Sequence, residues 1–83
     1  MRLPRDMSGE DLAALLRRRY GYQLVRQRGS HMTLTRTDGV ESHSVTVPRH
    51  RALRVGTLGG IVGDVAEHLG VTQDEVRREL FGS

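Results

Sequence analysis

The sequence predicts a small α+β domain in which one helix precedes three short antiparallel strands and another helix follows them. Apolar residues recur every three to four positions near both ends of the chain, which is helical spacing, and they alternate with polar residues in the middle, which is strand spacing. Asp38-Gly39 lies between two of the alternating stretches and is typical of a hairpin turn. We predict a single domain over residues 1–83, because a chain of this length builds one modest core.

The first helix is predicted to begin at Ser8, after a flexible lead-in over residues 1–7. Ser8 can cap the helix, with Asp11 three positions later, and acidic residues in the first turn suit the helix dipole. Gly21 is expected to end the helix. One face is apolar and carries Leu12, Leu15 and Leu16.

The strands are predicted at residues 22–27, 32–36 and 44–47. Met32 and Leu34 are the apolar residues of the middle strand, so they should face the helices. The alternation then directs His31 to the opposite face, which stays open to solvent. A three-stranded sheet with helices on one face is the arrangement we expect.

The last third of the chain is predicted to form a loop over residues 53–57, a second helix that ends at Gly70, and a short third helix over residues 72–81. Thr72 and Glu75 have the spacing of a capping box for the third helix. Gly59 and Gly63 lie one helical turn apart, which we interpret as a place where another element, such as the third helix, approaches closely. The apolar stripe of the second helix consists of Leu58, Ile61, Val62, Val65 and Leu69.

Composition narrows the classes of function. The chain has 13 arginines, no lysine and 10 acidic residues, for a formal charge of +3, so a polyanionic partner is expected. There is no cysteine, no HExxH motif and no histidine pair at helical metal-ligand spacing, so we expect neither a metal nor another cofactor. No apolar run is long enough to span a membrane, so the protein is expected to be cytoplasmic.

His31 is the first candidate for chemistry, because histidine can exchange a proton near neutral pH. It follows Gly29-Ser30, a turn that could receive a phosphate, and Arg26 and Arg28 precede that turn with fixed positive charge. The alternative is an ordinary surface histidine at the start of a strand.

A second basic segment, Pro48-Arg49-His50-Arg51, lies close to the start of the second helix. Arg49 and His50 are candidate phosphate contacts, and His50 is also a candidate second proton-transfer group. The alternative is a solvated loop. Of the two remaining histidines, His43 is expected to be half-buried and His68 to be solvated.

Two segments together resemble the HicA toxin family. Residues 20–31, with Arg26-Gln27-Arg28-Gly29-Ser30-His31 at their end, resemble its glycine-aromatic and RQKGSH signature. Val45-Thr46-Val47-Pro48-Arg49-His50, followed by Gly56-Thr57-Leu58-Gly59-Gly60-Ile61, resembles its VPxH and GTLxxI signature. The resemblance covers about residues 9–69, with both signatures in the same order.

The resemblance implies a fold similar to double-stranded-RNA-binding domains and the toxin role in a type II toxin–antitoxin system. It also implies ribosome-independent cleavage of mRNA, neutralisation by a HicB-like antitoxin, and His31 as the catalytic histidine. Together with the absence of metal-ligand spacing, this predicts metal-independent acid–base catalysis. Two alternatives remain open: a non-catalytic RNA-binding module of the same fold, and a component that acts only through a protein partner.

Overall fold

The computed structural model describes residues 3–82, which form three helices and one three-stranded sheet. This order confirms the predicted α-β-β-β-α layout with an additional C-terminal helix. The elements are α1 (Gly9–Tyr20), β1 (Gln23–Arg28), β2 (His31–Asp38), β3 (Glu41–Pro48), α2 (Val55–Leu69) and α3 (Gln73–Phe81).

The sheet is antiparallel throughout, with β2 in the middle. Two-residue turns join the strands, and Gly29 and Gly39 adopt positive φ angles of 58° and 65° in them. Glycine reaches this conformation without steric cost, so strand pairing continues up to each turn. The strands β2 and β3 are therefore longer than predicted, since regular pairing extends to Asp38 and Glu41.

The helices cover one face of the sheet, and the core lies between the two layers. Met32, Leu34, Val45 and Val47 are buried on this face, as the strand alternation predicts. Tyr22 and Leu53 join the core from connecting segments, and the helices contribute the rest: Leu12, Ala13, Leu16, Leu58, Ile61, Val62, Val65, Ala66, Val76 and Leu80. Both α3 residues in this set are almost fully buried, so α3 is part of the core.

The predicted helix boundaries are confirmed at most ends. The Ser8 hydroxyl accepts a hydrogen bond from the Asp11 amide (3.0 Å), and Gly21 ends α1 in the left-handed conformation. Thr72 and Glu75 form the predicted capping box, with bonds of 2.9 and 3.1 Å. The predicted loop over residues 53–57 is wrong in its second half, because α2 begins at Val55. Its first turn lies outside the apolar stripe, so hydrophobic spacing did not reveal it.

The third helix does lie beside Gly63, through Gln73, but neither interior glycine of α2 is required by a close approach. A Cβ on Gly63 would lie 3.5 Å from Gln73 Nε2, and one on Gly59 would lie 3.6 Å from Leu3 Cδ1. Both are ordinary van der Waals distances. The close approach is at Gly9 instead, where a Cβ would overlap the carbonyl oxygen of Pro48.

The part of the lead-in that the structure describes, residues 3–7, contains no helix or strand but contacts the core. Leu3 and Met7 pack against the buried cluster, and the Met7 carbonyl accepts a hydrogen bond from the Leu53 amide (2.7 Å). Residues 1 and 2 lie outside the described residues. Between residues 3 and 82 there is no helix with the length and apolar character needed to cross a membrane.

Candidate functional site

His31 is the first residue of β2 and its side chain is exposed. Its Cα pairs with Arg28 on one side and with Pro48 on the other. Residues that pair directly in an antiparallel sheet project to the same face. Arg28, His31 and Pro48 therefore form one row across the open face of the sheet, at the end nearest the Gly29-Ser30 turn.

A β-bulge in β1 decides where the arginines point. Leu24 pairs with Leu34, but the next pair joins Arg26 to Thr33, so Val25 is an extra residue. Unbroken alternation from Leu24 would place Arg26 on the helix face. The bulge shifts the phase by one residue and places Arg26 and Arg28 on the same face as His31.

The Gly29-Ser30 turn lies at the edge of this surface. Both residues are exposed. Nothing lies within 4 Å of the place where a Gly29 side chain would begin, so glycine is required here for its positive φ rather than for close packing. The Ser30 carbonyl accepts a hydrogen bond from the Arg49 amide (2.5 Å), which joins the turn to the second basic segment.

The start of α1 holds the segment with Arg49 and His50 in place. The His50 carbonyl accepts a hydrogen bond from the Gly9 amide (2.9 Å). The Arg49 guanidinium pairs with the Glu10 carboxylate, with Nε and Oε1 3.4 Å apart. Glu10 was not predicted as part of this region, because only the fold brings the first turn of α1 against a loop 39 residues later.

The two basic segments therefore meet at one rim of the sheet, but their side chains diverge. Arg26 and Arg28 lie on the open face, whereas Arg49 turns towards α1 and Glu10. His50 is exposed in the same loop. Within residues 3–82, no hydrogen bond joins the side chains of His31 and His50.

Two other histidines form a separate cluster on the helix side of the sheet. The His43 and His68 rings stack at 4.5 Å with an interplanar angle of 9°, and a hydrogen bond of 2.8 Å joins His43 Nδ1 to the Tyr22 hydroxyl. His43 is half-buried, as predicted. The prediction that His68 is solvated is wrong, because its ring packs on His43 and its Nε2 lies 3.4 Å from Arg36 Nη1. The spacing of apolar residues along α2 does not indicate this contact, because the contact joins two elements that are far apart in the sequence.

Burial shifts the pKa values of two residues in this cluster. It lowers the pKa of His43, and the neighbouring His68 acts in the same direction, while Asp64 and Glu67 oppose it. Burial also raises the pKa of Tyr22 to about 12, so its hydroxyl keeps its proton at neutral pH. In the described part of the chain, no group of three or more His, Cys, Asp or Glu residues is arranged to hold a metal ion.

Comparison with known proteins supports the resemblance seen in the two signatures. No curated protein and no solved structure matches the chain significantly. A protein-family model described as the HicA toxin of bacterial toxin–antitoxin systems matches residues 9–71, which is most of the chain and runs from α1 to the end of α2. The chain therefore belongs to the HicA toxin family of bacterial toxin–antitoxin systems.

Proposed function

We propose that this protein is an endoribonuclease toxin that cleaves mRNA by acid–base catalysis with His31. The observation that carries the proposal is the shared face of His31, Arg28 and Arg26, which the bulge at Val25 creates. Histidine can move a proton near neutral pH, and two guanidinium groups beside it suit a phosphodiester. Membership of the HicA family adds support, since it implies an RNA target and an antitoxin partner in general.

The reaction we propose uses the nucleophile that RNA itself carries. The 2′-oxygen attacks the adjacent phosphorus, the bond from phosphorus to the 5′-oxygen breaks, and a 2′,3′-cyclic phosphate and a 5′-hydroxyl remain. One proton leaves the 2′-OH and one is delivered to the 5′-oxygen. His31 would perform one of these transfers, and such a step contributes roughly 10²–10⁴-fold to a rate.

The remaining groups have simpler roles in this proposal. Arg26 and Arg28 stabilise the charge that develops on the phosphate oxygens. Gly29 and Ser30 form the exposed turn that would lie beside that phosphate. The second proton transfer falls to water or to His50, which lies in the loop joined to Ser30 through Arg49.

The test compares purified wild type with His31→Ala on an RNA oligonucleotide and on the same oligonucleotide with one 2′-deoxy nucleotide at the cleavage site. Wild type should cleave the RNA, with and without EDTA, and should leave the 2′-deoxy position intact. His31→Ala should lose activity by roughly 10²-fold or more. Its thermal melt should match wild type, because an exposed side chain leaves no cavity.

Cleavage retained by a folded His31→Ala protein would refute the role of His31. Binding of RNA without any cleavage by wild type would favour the non-catalytic RNA-binding module instead. Neutralisation by a HicB-like antitoxin is tested separately, by co-expression with a HicB-like protein and scoring of growth.

A further inference from the structure

A groove of about 170 Å³ lies between α1 and β1, on the opposite side of the sheet from His31. We call it the α1–β1 groove. Its apolar part consists of Ala13, Ala14, Leu24 and Met32. Leu24 is 42% exposed there, although leucine loses favourable hydrophobic free energy when it stays in water. The groove therefore offers apolar surface that this chain does not cover.

Polar groups border the apolar surface. Arg17 and Gln27 line the groove, and so does the ion pair between Arg49 and Glu10. The Gln27 amide makes one long contact in the described part of the chain, 3.4 Å from its Nε2 to the Gly29 carbonyl oxygen. A primary amide has two donors and two acceptor lone pairs, so Gln27 retains the capacity to bind a planar polar edge.

The α1–β1 groove and the proposed catalytic surface lie on opposite faces of the sheet and share the edge strand β1. Gln27 lies between Arg26 and Arg28 but points to the helix side, because the bulge at Val25 reverses the phase of this part of β1. The side chain of Arg49 borders the groove. The amide of Arg49 donates a hydrogen bond to the carbonyl of Ser30, the residue before His31. A strand that passes over the Gly29-Ser30 turn would therefore reach both surfaces.

We propose that the α1–β1 groove binds one unpaired base of the RNA, next to the nucleotide whose phosphate lies at His31. This inference rests on the proposed ribonuclease function and adds a source of base selectivity to it. Arg17 would stack its guanidinium on the base, the apolar floor would cover the opposite side, and Gln27 would bind the base edge. Stacking on arginine planes and hydrogen bonding to base edges are how proteins read single-stranded RNA.

Charge favours RNA over a protein segment as the occupant. Arg17 lines the groove, Arg18 follows it at the end of α1, and Arg26 and Arg28 lie on the open face of the edge strand β1. These arginines attract a polyanion, whereas an apolar peptide could bury only the small apolar floor of the groove.

The test uses the His31→Ala protein, so that binding is measured without cleavage. Short RNA oligonucleotides carry one abasic site, which is moved along the strand, and affinity is measured by fluorescence anisotropy. One position should weaken binding by roughly 5- to 100-fold, the range for a stacked base. Gln27→Ala, and Ala14→Leu, which fills the groove from an exposed helix position, should each remove that dependence on position.

The matched control is Gln73→Ala, which removes the same side chain from an exposed position of α3 and should leave the position-dependent loss of binding unchanged. The slope of affinity against salt should stay unchanged in both groove variants, because no phosphate contact is lost. Thermal melts verify that Ala14→Leu remains folded.

RNA binding without a sensitive position, or an equal effect of Gln73→Ala, would overturn the base pocket and leave the ribonuclease proposal standing. Complete absence of RNA binding would overturn both. If the groove variants instead left RNA binding untouched and weakened binding of a co-expressed antitoxin, the groove would belong to the protein partner and the base pocket would be overturned.

Discussion

Neighbouring residues of β1 face different surfaces because the strand changes phase at Val25. Arg26 and Arg28 lie beside His31 on the open face, while Gln27 points into the α1–β1 groove. If Val25 paired regularly with Thr33 instead of forming the bulge, every following residue of β1 would face the opposite surface. The separation of phosphate contacts from a base contact thus depends on one extra residue.

The double variant Arg26→Ala with Arg28→Ala is expected to weaken RNA binding about equally across sequences. Each lost phosphate contact lowers the slope of log affinity against log salt by about 0.7 on a single strand, so the slope should fall by about 1.4 if both contribute. The matched control, Arg19→Ala with Arg78→Ala, removes the same charge from exposed positions of α1 and α3. An unchanged slope in the first pair would show that these arginines are only solvated.

The stacked pair of His43 and His68 predicts a stability that falls in acid. Burial lowers the pKa of His43, so the unfolded chain binds a proton at a pH where the folded chain does not. Stability is therefore complete above about pH 6.5, the ordinary pKa of histidine, and declines as the pH falls below it. Urea unfolding at pH 7.5 and pH 5.5 measures the difference.

The variant His43→Gln should reduce this pH dependence, because it removes the titrating ring and keeps polar atoms near the Tyr22 hydroxyl. His50→Gln is the matched control, since it removes an exposed histidine. Equal pH dependence in wild type and His43→Gln would contradict the assignment.

At the level of elements, α2 carries glycines that its surroundings do not require. Gly60 is exposed, and nothing lies within 4 Å of the place where its Cβ would be. Glycine in a helix interior costs about 0.5–1 kcal/mol relative to alanine, because its unfolded backbone is more flexible. The helix is therefore held by its buried stripe rather than by intrinsic propensity.

Gly60→Ala is expected to raise the free energy of unfolding by about 0.5–1 kcal/mol. Gly70→Ala is the contrasting variant: Gly70 ends α2 at a φ of 70°, where a side chain costs about 1–2 kcal/mol. Chemical denaturation of both variants measures the two effects, and destabilisation by Gly60→Ala would show that a contact of α2 has been overlooked.

At the scale of the whole molecule, the domain extends beyond the region that the family model matches. The match ends at residue 71, whereas α3 covers Gln73–Phe81 and buries Val76 and Leu80 in the common core. A small domain has few other buried side chains to compensate for such a loss. We therefore expect the stability of this chain to depend on its C-terminal helix.

Leu80→Ala is expected to lower the free energy of unfolding by about 2–5 kcal/mol, the usual cost of removing a buried leucine. Arg78→Ala, an exposed change in the same helix, should have little effect. Thermal denaturation distinguishes the two variants. A melting temperature unchanged by Leu80→Ala would show that α3 is an accessory helix.

Most of the fold could be predicted from the sequence, because local patterns determine it. Capping at Ser8 and Thr72, glycine stops at Gly21 and Gly70, and the alternation around Leu34 each depend on residues a few positions apart. The start of α2 was missed for the same reason, since its first turn has no apolar periodicity. His31 was also accessible to sequence reasoning, because one alternating strand sets its direction.

The sequence by itself thus determined the order of the elements, the exposed position of His31 and the motifs that indicate the family. Only the tertiary structure decided which surface Arg26, Gln27 and Arg28 face, because a bulge is a mismatch between two paired strands. It likewise decided that Glu10 meets Arg49 and that His68 stacks on His43. These contacts join residues far apart in the chain, and short-range spacing carries no information about such pairs.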